Sequence, residues 1–189
     1  MSKAGGAKVI LEKKRVYGNA LQKGIETAKG EIIILTEADG TFRSKDIVKI
    51  LEYLKDADMV IGTRTTRQMI EQGSNMGWFL RWGNVFLGKL VEMLWWGQEP
   101  RFTDVGCTFR GIWKDSYLKI KDNLHASGPD FSPEMMIEAL KAHLRVIEIP
   151  VSYYKRMGGE SKHSAGFKKI KTGLKMLNII LGKKFGWKK

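Results

Sequence analysis

Two carboxylates set two residues apart, Glu37 and Asp39, are the first residues in this chain whose types and spacing suggest chemistry. They close Glu31-Ile32-Ile33-Ile34-Leu35-Thr36, a short β-branched and aliphatic run with the length and composition of a strand buried on both faces of a parallel sheet. In extended backbone, residues two apart point the same way. In an open α/β sheet the ligand crevice lies at the carboxyl ends of the strands. A carboxylate pair delivered there can hold a hard divalent cation, which keeps several waters and takes its other ligands from phosphates. The same four residues, Glu37-Ala38-Asp39-Gly40, also read simply as a strand closed by an Asp-Gly turn.

Further along, Thr103-Asp104-Val105-Gly106-Cys107-Thr108-Phe109-Arg110 places an acid and an Arg on either side of a small-residue strand or turn. Arg156-Met157-Gly158-Gly159-Glu160-Ser161-Lys162 puts two glycines among an Arg, a Ser and a Lys. That composition suits a phosphate clamp, and equally a solvated basic loop.

These residues need elements to position them. Lys8–Leu11 reads as a strand, Tyr17–Lys29 as a helix, Ile32 onward as a strand, and Ser44–Leu54 as a helix capped by Ser44 with Ile47, Ile50, Leu51 and Leu54 inward. Asp58–Gly62 is another buried strand, ending at Thr63-Arg64. The alternation implies an α/β fold with a parallel sheet and right-handed crossovers. Thr65–Gly77 is a long polar loop. Trp78–Trp96 is almost continuously apolar but carries Arg81, Asn84, Lys89 and Glu92. Each charge near a bilayer centre would cost roughly 2.5–3.5 kcal/mol, so the segment reads as an interfacial or buried helix and not a membrane span. Ser132-Pro133-Glu134 opens a helix with Ser as N-cap and Pro at the first position, and Val146–Tyr154 reads as a strand.

The net charge of +13 is concentrated at the end: from Lys155 to Lys189 eleven Lys and Arg face a single acid, Glu160. Phe167, Ile170, Leu174, Leu177 and Leu181 recur at three- and four-residue steps, with Lys168, Lys171 and Lys175 mainly on the other side. This predicts a basic amphipathic helix suited to an anionic membrane surface, or packed on the domain with a solvated Lys face. A pI near 9.8 also admits nucleic acid as a partner, but no nucleic-acid-binding motif is present and the basic residues track apolar ones, so nucleic acid is not expected. The single cysteine, Cys107, excludes an internal disulfide and favours a reducing compartment. With no signal-peptide pattern at the start, the expected location is the cytoplasm.

The motifs at Tyr17-Gly18-Asn19-Ala20, Thr36–Gly40, Ile61-Gly62-Thr63-Arg64, Thr103–Arg110 and Arg156–Lys162, taken in order, resemble the family-2 glycosyltransferases of GT-A fold. The similarity is greatest to the branch of dolichol-phosphate mannosyltransferases and polyprenyl-phosphate glycosyltransferases. It implies a mostly parallel, Rossmann-like sheet with flanking helices over residues 1–165, and a membrane-interface tail over 166–189. It implies inverting transfer of a sugar from a nucleoside-diphosphate sugar, GDP-mannose or a UDP-sugar, to a polyprenyl or dolichyl phosphate. Glu37 and Asp39 would hold Mg2+ or Mn2+. Arg64, Arg81 and Asn84 would bind the acceptor phosphate, Asp104 and Arg110 would stand near the transferred sugar as catalytic groups with Asp39, and Arg156, Ser161 and Lys162 would close over the phosphates. A phosphate monoester is already an anion at neutral pH and needs little general base. For a hydroxyl acceptor, Asp104, Asp130 and Glu134 are the candidate bases. Members of the family open with two further strands and a helix that grip the base and ribose. The resemblance therefore implies an N-terminally shortened domain, completed by another chain or reduced to membrane or partner binding, and peripheral at the cytoplasmic face of the membrane.

Overall fold

The computed structural model describes residues 6–14, 16–157 and 166–187. Ten regular elements follow in chain order. They are α1 (Tyr17–Thr27), β1 (Ile32–Leu35), α2 (Lys45–Tyr53), β2 (Met59–Thr63), α3 (Trp78–Leu94), β3 (Arg110–Trp113), α4 (Lys114–Ile120), α5 (Phe131–Lys141), β4 (Val146–Pro150) and α6 (Gly166–Phe185). The strands form one sheet in the order β1-β3-β2-β4. β3 is antiparallel to β1, pairing Ile33 with Ile112, and antiparallel to β2, pairing Ile61 with Arg110; β2 and β4 are parallel, with Ile61 opposite Glu148. β1, β2 and β4 thus share one direction, as the helical crossovers require, but the sheet is mixed. The parallel sheet read from the alternation of elements is corrected at β3, which runs against its neighbours.

β2 is buried at every residue, as a strand covered on both faces must be. Ile50 of α2 and Leu54, just past its end, are buried, while Leu51 is 39% exposed. These two side chains reach the sheet over Gly111 of β3, where an added Cβ would overlap Ile50 and lie 3.0 Å from both Leu54 Cδ1 and Ile34 Cδ1. Gly111 is the point at which a helix layer touches the sheet backbone. On α1, Gly18 allows a similar approach: its amide donates to Ser127 O at 2.6 Å, and a Cβ would fall 2.6 Å from Ala126 O.

The expected strand at Lys8–Leu11 is absent: these residues are without regular structure, and Leu11 is 87% exposed. Among the described residues none pairs with its backbone groups, and an apolar run alone does not make a strand. α5 starts at Phe131, one residue before the predicted N-cap, so Ser132 lies inside the helix. Its hydroxyl instead meets Tyr17 OH at 3.3 Å.

α6 packs on α3 and α5. Its buried residues are Met176, Ile179 and Ile180, whereas Ile170 and Leu174 of the predicted apolar stripe are exposed. The helix is apolar on two sides: one faces the domain and the other faces outward. α3 does likewise, burying Leu87, Gly88 and Val91 and exposing Trp78, Phe79, Trp82, Phe86 and Met93. Beyond its end Trp95 is buried and Trp96 exposed. Among the described residues no helix is long and apolar enough to cross a membrane.

Candidate active site

The end of β1 delivers the carboxylate pair to a turn held by its own atoms. Asp39 Oδ1 accepts from the Thr41 amide at 3.0 Å and the Thr41 hydroxyl at 2.6 Å. Gly40 takes φ +82°, a left-handed conformation that suits glycine. Residues Val151–Met157 cross this turn. Tyr154 N donates to Thr41 O at 2.9 Å and Met157 N to Asp39 O at 3.0 Å. That crossing carries the Arg156 guanidinium to the acids: Nη2 lies 2.7 Å from Asp39 Oδ2 and 3.7 Å from Glu37 Oε2. Burial pushes the Glu37 carboxyl up, with the neighbouring Asp39 charge adding to it and the Thr108 bond opposing it. Burial acts on Asp39 in the same sense, but the Thr41 hydroxyl and amide, with Glu37 and the Arg156 charge, together outweigh it and hold that carboxyl below its ordinary value.

Glu37 is braced from behind. Thr108 donates to Glu37 Oε1 at 2.7 Å, and Tyr17 OH meets Thr108 Oγ1 at 2.5 Å. Tyr17 and Thr108 stand within segments singled out in the sequence, yet neither carries a signal of this contact. Only the approach of α1 to the Cys107–Phe109 stretch reveals it.

A second cluster lies at the end of β2. Arg64 grips Asp104 in a fork, Nε to Oδ2 at 2.8 Å and Nη2 to Oδ1 at 2.9 Å, while its backbone amide donates to Oδ2 at 2.9 Å. Asp104 is fully buried. Its charge raises the Arg64 pKa against the effect of burial. Asn84 of α3 bonds back to Leu80 O at 3.0 Å. A Cβ on Gly106 would fall 3.0 Å from Asn84 Oδ1, 3.3 Å from Arg64 Nη2 and 3.5 Å from Met176 Cε, so Gly106 is where Arg64, α3 and α6 converge. The Tyr153 ring lies 5.4 Å from the Arg64 guanidinium and its hydroxyl feels the charges of both clusters.

The predicted residues therefore divide. Glu37, Asp39 and Arg156 form one cluster, and Arg64, Asp104 and Asn84 another. Arg81 lies one turn before Asn84, half-buried, with its guanidinium 6.0 Å from the Trp82 ring. Arg110 is 1% exposed; it donates from Nη1 to Ser132 O at 2.9 Å and from Nη2 to Cys107 O. Ser161 and Lys162 lie outside the described residues. Glu134, weighed as a base, is fully buried. Its oxygens accept from the His125 and Ala126 amides at 2.9 and 2.7 Å and pair with Lys183 at 2.9 Å, which is the setting of a structural carboxylate.

The carboxylate cluster fits a divalent cation in its chemistry. Hard oxygen donors from Glu37 and Asp39 face one point already held by a guanidinium nitrogen. Asp39 Oδ2 and Arg156 Nε are both buried without a hydrogen bond of good geometry, the Arg156–Asp39 contact being an ion pair. Among the described residues no group of three or more His, Cys, Asp or Glu side chains gathers. Substrate oxygens would have to complete the coordination.

Residues 2–116 match the sequence profile described as Glycosyl transferase family 2, and the chain belongs to that family. It is a family-2 glycosyltransferase. It is 29% identical over 168 residues to an uncharacterized glycosyltransferase of Mycobacterium tuberculosis, covering 86% of this chain and 71% of that one. An undecaprenyl-phosphate mannosyltransferase of Micrococcus luteus is 25% identical over 142 residues, covering 72% of this chain and 54% of the relative. Among solved structures, glucosyl-3-phosphoglycerate synthase from M. tuberculosis with Mn2+ and uridine-diphosphate-glucose superposes with TM-score 0.69 at 10% identity, over 97% of this chain and 62% of that one. The fold is accordingly of GT-A type, and the chain spans about three-fifths of the solved chains it matches.

Proposed function

We propose that this glycosyltransferase moves a sugar from a nucleoside-diphosphate sugar to a polyprenyl phosphate with inversion, using a divalent cation, Mg2+ or Mn2+. The observation that carries this reading is the convergence of Glu37 and Asp39 on Arg156 at the carboxyl end of β1, beside the buried Arg64–Asp104 fork. The carboxylates and the cation would neutralise charge developing on the leaving diphosphate. Arg156 would move from Asp39 to a phosphate oxygen once the cation takes its place, giving its unbonded Nε a partner. Arg64, with Asn84 and Arg81 on α3, would bind the acceptor phosphate. Asp104 is so enclosed by Arg64 that its part is to hold the Arg64 guanidinium in place, and Arg110 braces the Cys107–Arg110 segment against α5; neither meets the sugar directly in this reading. The relative named for undecaprenyl phosphate supports the acceptor class. The solved neighbour with Mn2+ and a uridine-diphosphate sugar supports the donor class. The outward apolar faces of α3 and α6, with the exposed Lys171 and Lys175 on the latter, would hold the protein at an anionic membrane surface, on its cytoplasmic side, where the lipid acceptor is met.

The test is calorimetric titration of GDP and UDP with Mn2+ and with chelator, for the wild type and Asp39→Asn. Metal-dependent binding lost in the variant is expected, and the preferred base narrows the sugar. A second reading is favoured by the position of β1 at the sheet edge, where among the described residues β3 is its one neighbour: the donor site is completed by a further polypeptide segment. Failure of both nucleotides to bind would select it.

A further inference from the structure

Asp104 and Arg64 do not hold themselves. The turn that carries Asp104 is itself seated on a carboxylate from another strand, Glu148 of β4. Glu148 Oε2 accepts from the Thr103 amide at 2.8 Å and the Thr103 hydroxyl at 2.7 Å, and Oε1 accepts from the Asp104 amide at 2.8 Å, with a longer contact to the Thr103 amide at 3.0 Å. The Thr103 hydroxyl also joins a closed ring with Thr63 and Thr65, at 2.9 and 2.7 Å, the third side being 2.8 Å. Thr63 and Thr65 flank Arg64. The arrangement is a nested set: Glu148 fixes two successive amides, the second belongs to Asp104, and Asp104 fixes Arg64 by side chain and backbone alike.

We propose that Glu148 is a positioning residue for the acceptor phosphate, acting through the Thr103–Asp104 turn to hold the Arg64 guanidinium where it meets that phosphate. The inference rests on the reading of Arg64 given above. Only an ionised Glu148 can accept all these donors, because a protonated carboxyl turns one oxygen into a donor facing N–H groups. Burial pushes this carboxyl up to about 7, against the Thr103 and Asp104 bonds that favour the charged form, with the Asp104 charge adding to the rise. The groups that face it are Asp104 and, through Asp104, Arg64; its partner across the sheet, Ile61, is apolar.

The test is the dissociation constant of farnesyl phosphate, a short polyprenyl phosphate, measured by tryptophan fluorescence on the full chain. It is run at pH 6 and pH 8 for wild type, Glu148→Gln, Arg64→Ala and the double variant. Glu148→Gln is expected to weaken binding about tenfold at pH 8 and by much less at pH 6. The ratio to wild type removes the titration of the ligand itself. In the Arg64→Ala background the same substitution is expected to change nothing. An equal effect of Glu148→Gln in both backgrounds, or a ratio independent of pH, overturns the positioning role even if Arg64 matters. Farnesyl phosphate that binds Arg64→Ala as tightly as wild type overturns instead the assignment of Arg64, and with it the coupling. If Glu148→Gln does not fold, Glu148→Asp is measured the same way; its shorter carboxylate is expected to retain the pH-dependent ratio in weakened form, and a pH-independent ratio there overturns the proposal.

Discussion

At the scale of single residues, the charged groups of this chain sort by whether their partners are fixed. Arg110 is buried against two backbone carbonyls, and burial lowers its pKa. Arg110→Met would leave Ser132 O and Cys107 O without their donor, at about 1–3 kcal/mol for each unsatisfied group. Urea denaturation should show a lowered midpoint with an unchanged slope. Asp104→Ala removes the counter-charge of a buried Arg64 and is expected to cost about 3–5 kcal/mol. Glu148 has the opposite sense of linkage from a salt-bridged acid. Its folded pKa, about 7, lies above the ordinary value of 4.5, so the native state holds this proton more tightly than the unfolded chain. Stability is therefore expected to fall as pH rises from about 4.5 to about 7 on account of this group, and Glu148→Gln should flatten that window in thermal unfolding. The acids of the β1 turn were plain in the sequence because they interrupt an apolar run. Glu148 was not, since an acid between two isoleucines reads as the outward face of a strand; its partners come from residues 103 and 104, more than forty positions away.

At the scale of elements, β1, β2, β4 and the helices α1, α2, α3, α5 and α6 were legible because their periodicity is local, whereas the seven-residue α4 is too short to show one and was not read. Ile33, Leu35, Ile50, Leu54, Met59, Val60 and Ile61 all proved to be core. The antiparallel insertion of β3 between β1 and β2 was not legible, because Arg110–Trp113 carries no sign of which strands it joins. Its mark is Gly111, which reads as an isolated glycine until α2 is laid over it. Gly111→Val should overpack that contact at about 1–3 kcal/mol, visible as a lower thermal midpoint. α6 is fastened by Lys183, whose ammonium lies 2.9 Å from both Glu134 and Glu138 and donates to Asn123 O at 2.7 Å. Lys183→Met removes the charge that two buried carboxylates share, leaving Glu138 with Lys141 and Glu134 with its two backbone amides. Hydrogen exchange in α6 should rise selectively, while that in β2 stays slow.

At the scale of the whole molecule, charge and exposed aromatics are placed together. Trp78, Trp82, Phe86 and Trp96 on and after α3, and Ile170, Leu174, Phe185 and Trp187 on and after α6, are all more than half exposed. The two helices that bear them pack on one another and meet at Gly106 beside Arg64. Binding to phosphatidylglycerol vesicles is expected to exceed that to phosphatidylcholine vesicles, to weaken at 1 M salt, and to fall further in a Trp78→Ser, Trp82→Ser variant; co-sedimentation reads all three. Equal binding to both lipids would falsify an electrostatic contribution.

The contact between Gly40 and Met157 links the history of two distant positions. A Cβ at Gly40 would fall 2.6 Å from Met157 Cγ, and the φ of +82° adds strain of about 1–3 kcal/mol for any other residue. Met157 is 82% exposed and would ordinarily drift freely. Here its backbone amide is bonded to Asp39 and its neighbour is Arg156, so what it displaces, it displaces from the carboxylates. A smaller side chain at 157 would relieve the overlap but not the backbone strain at 40. A library randomised at both positions should therefore return glycine at 40 almost regardless of what is chosen at 157.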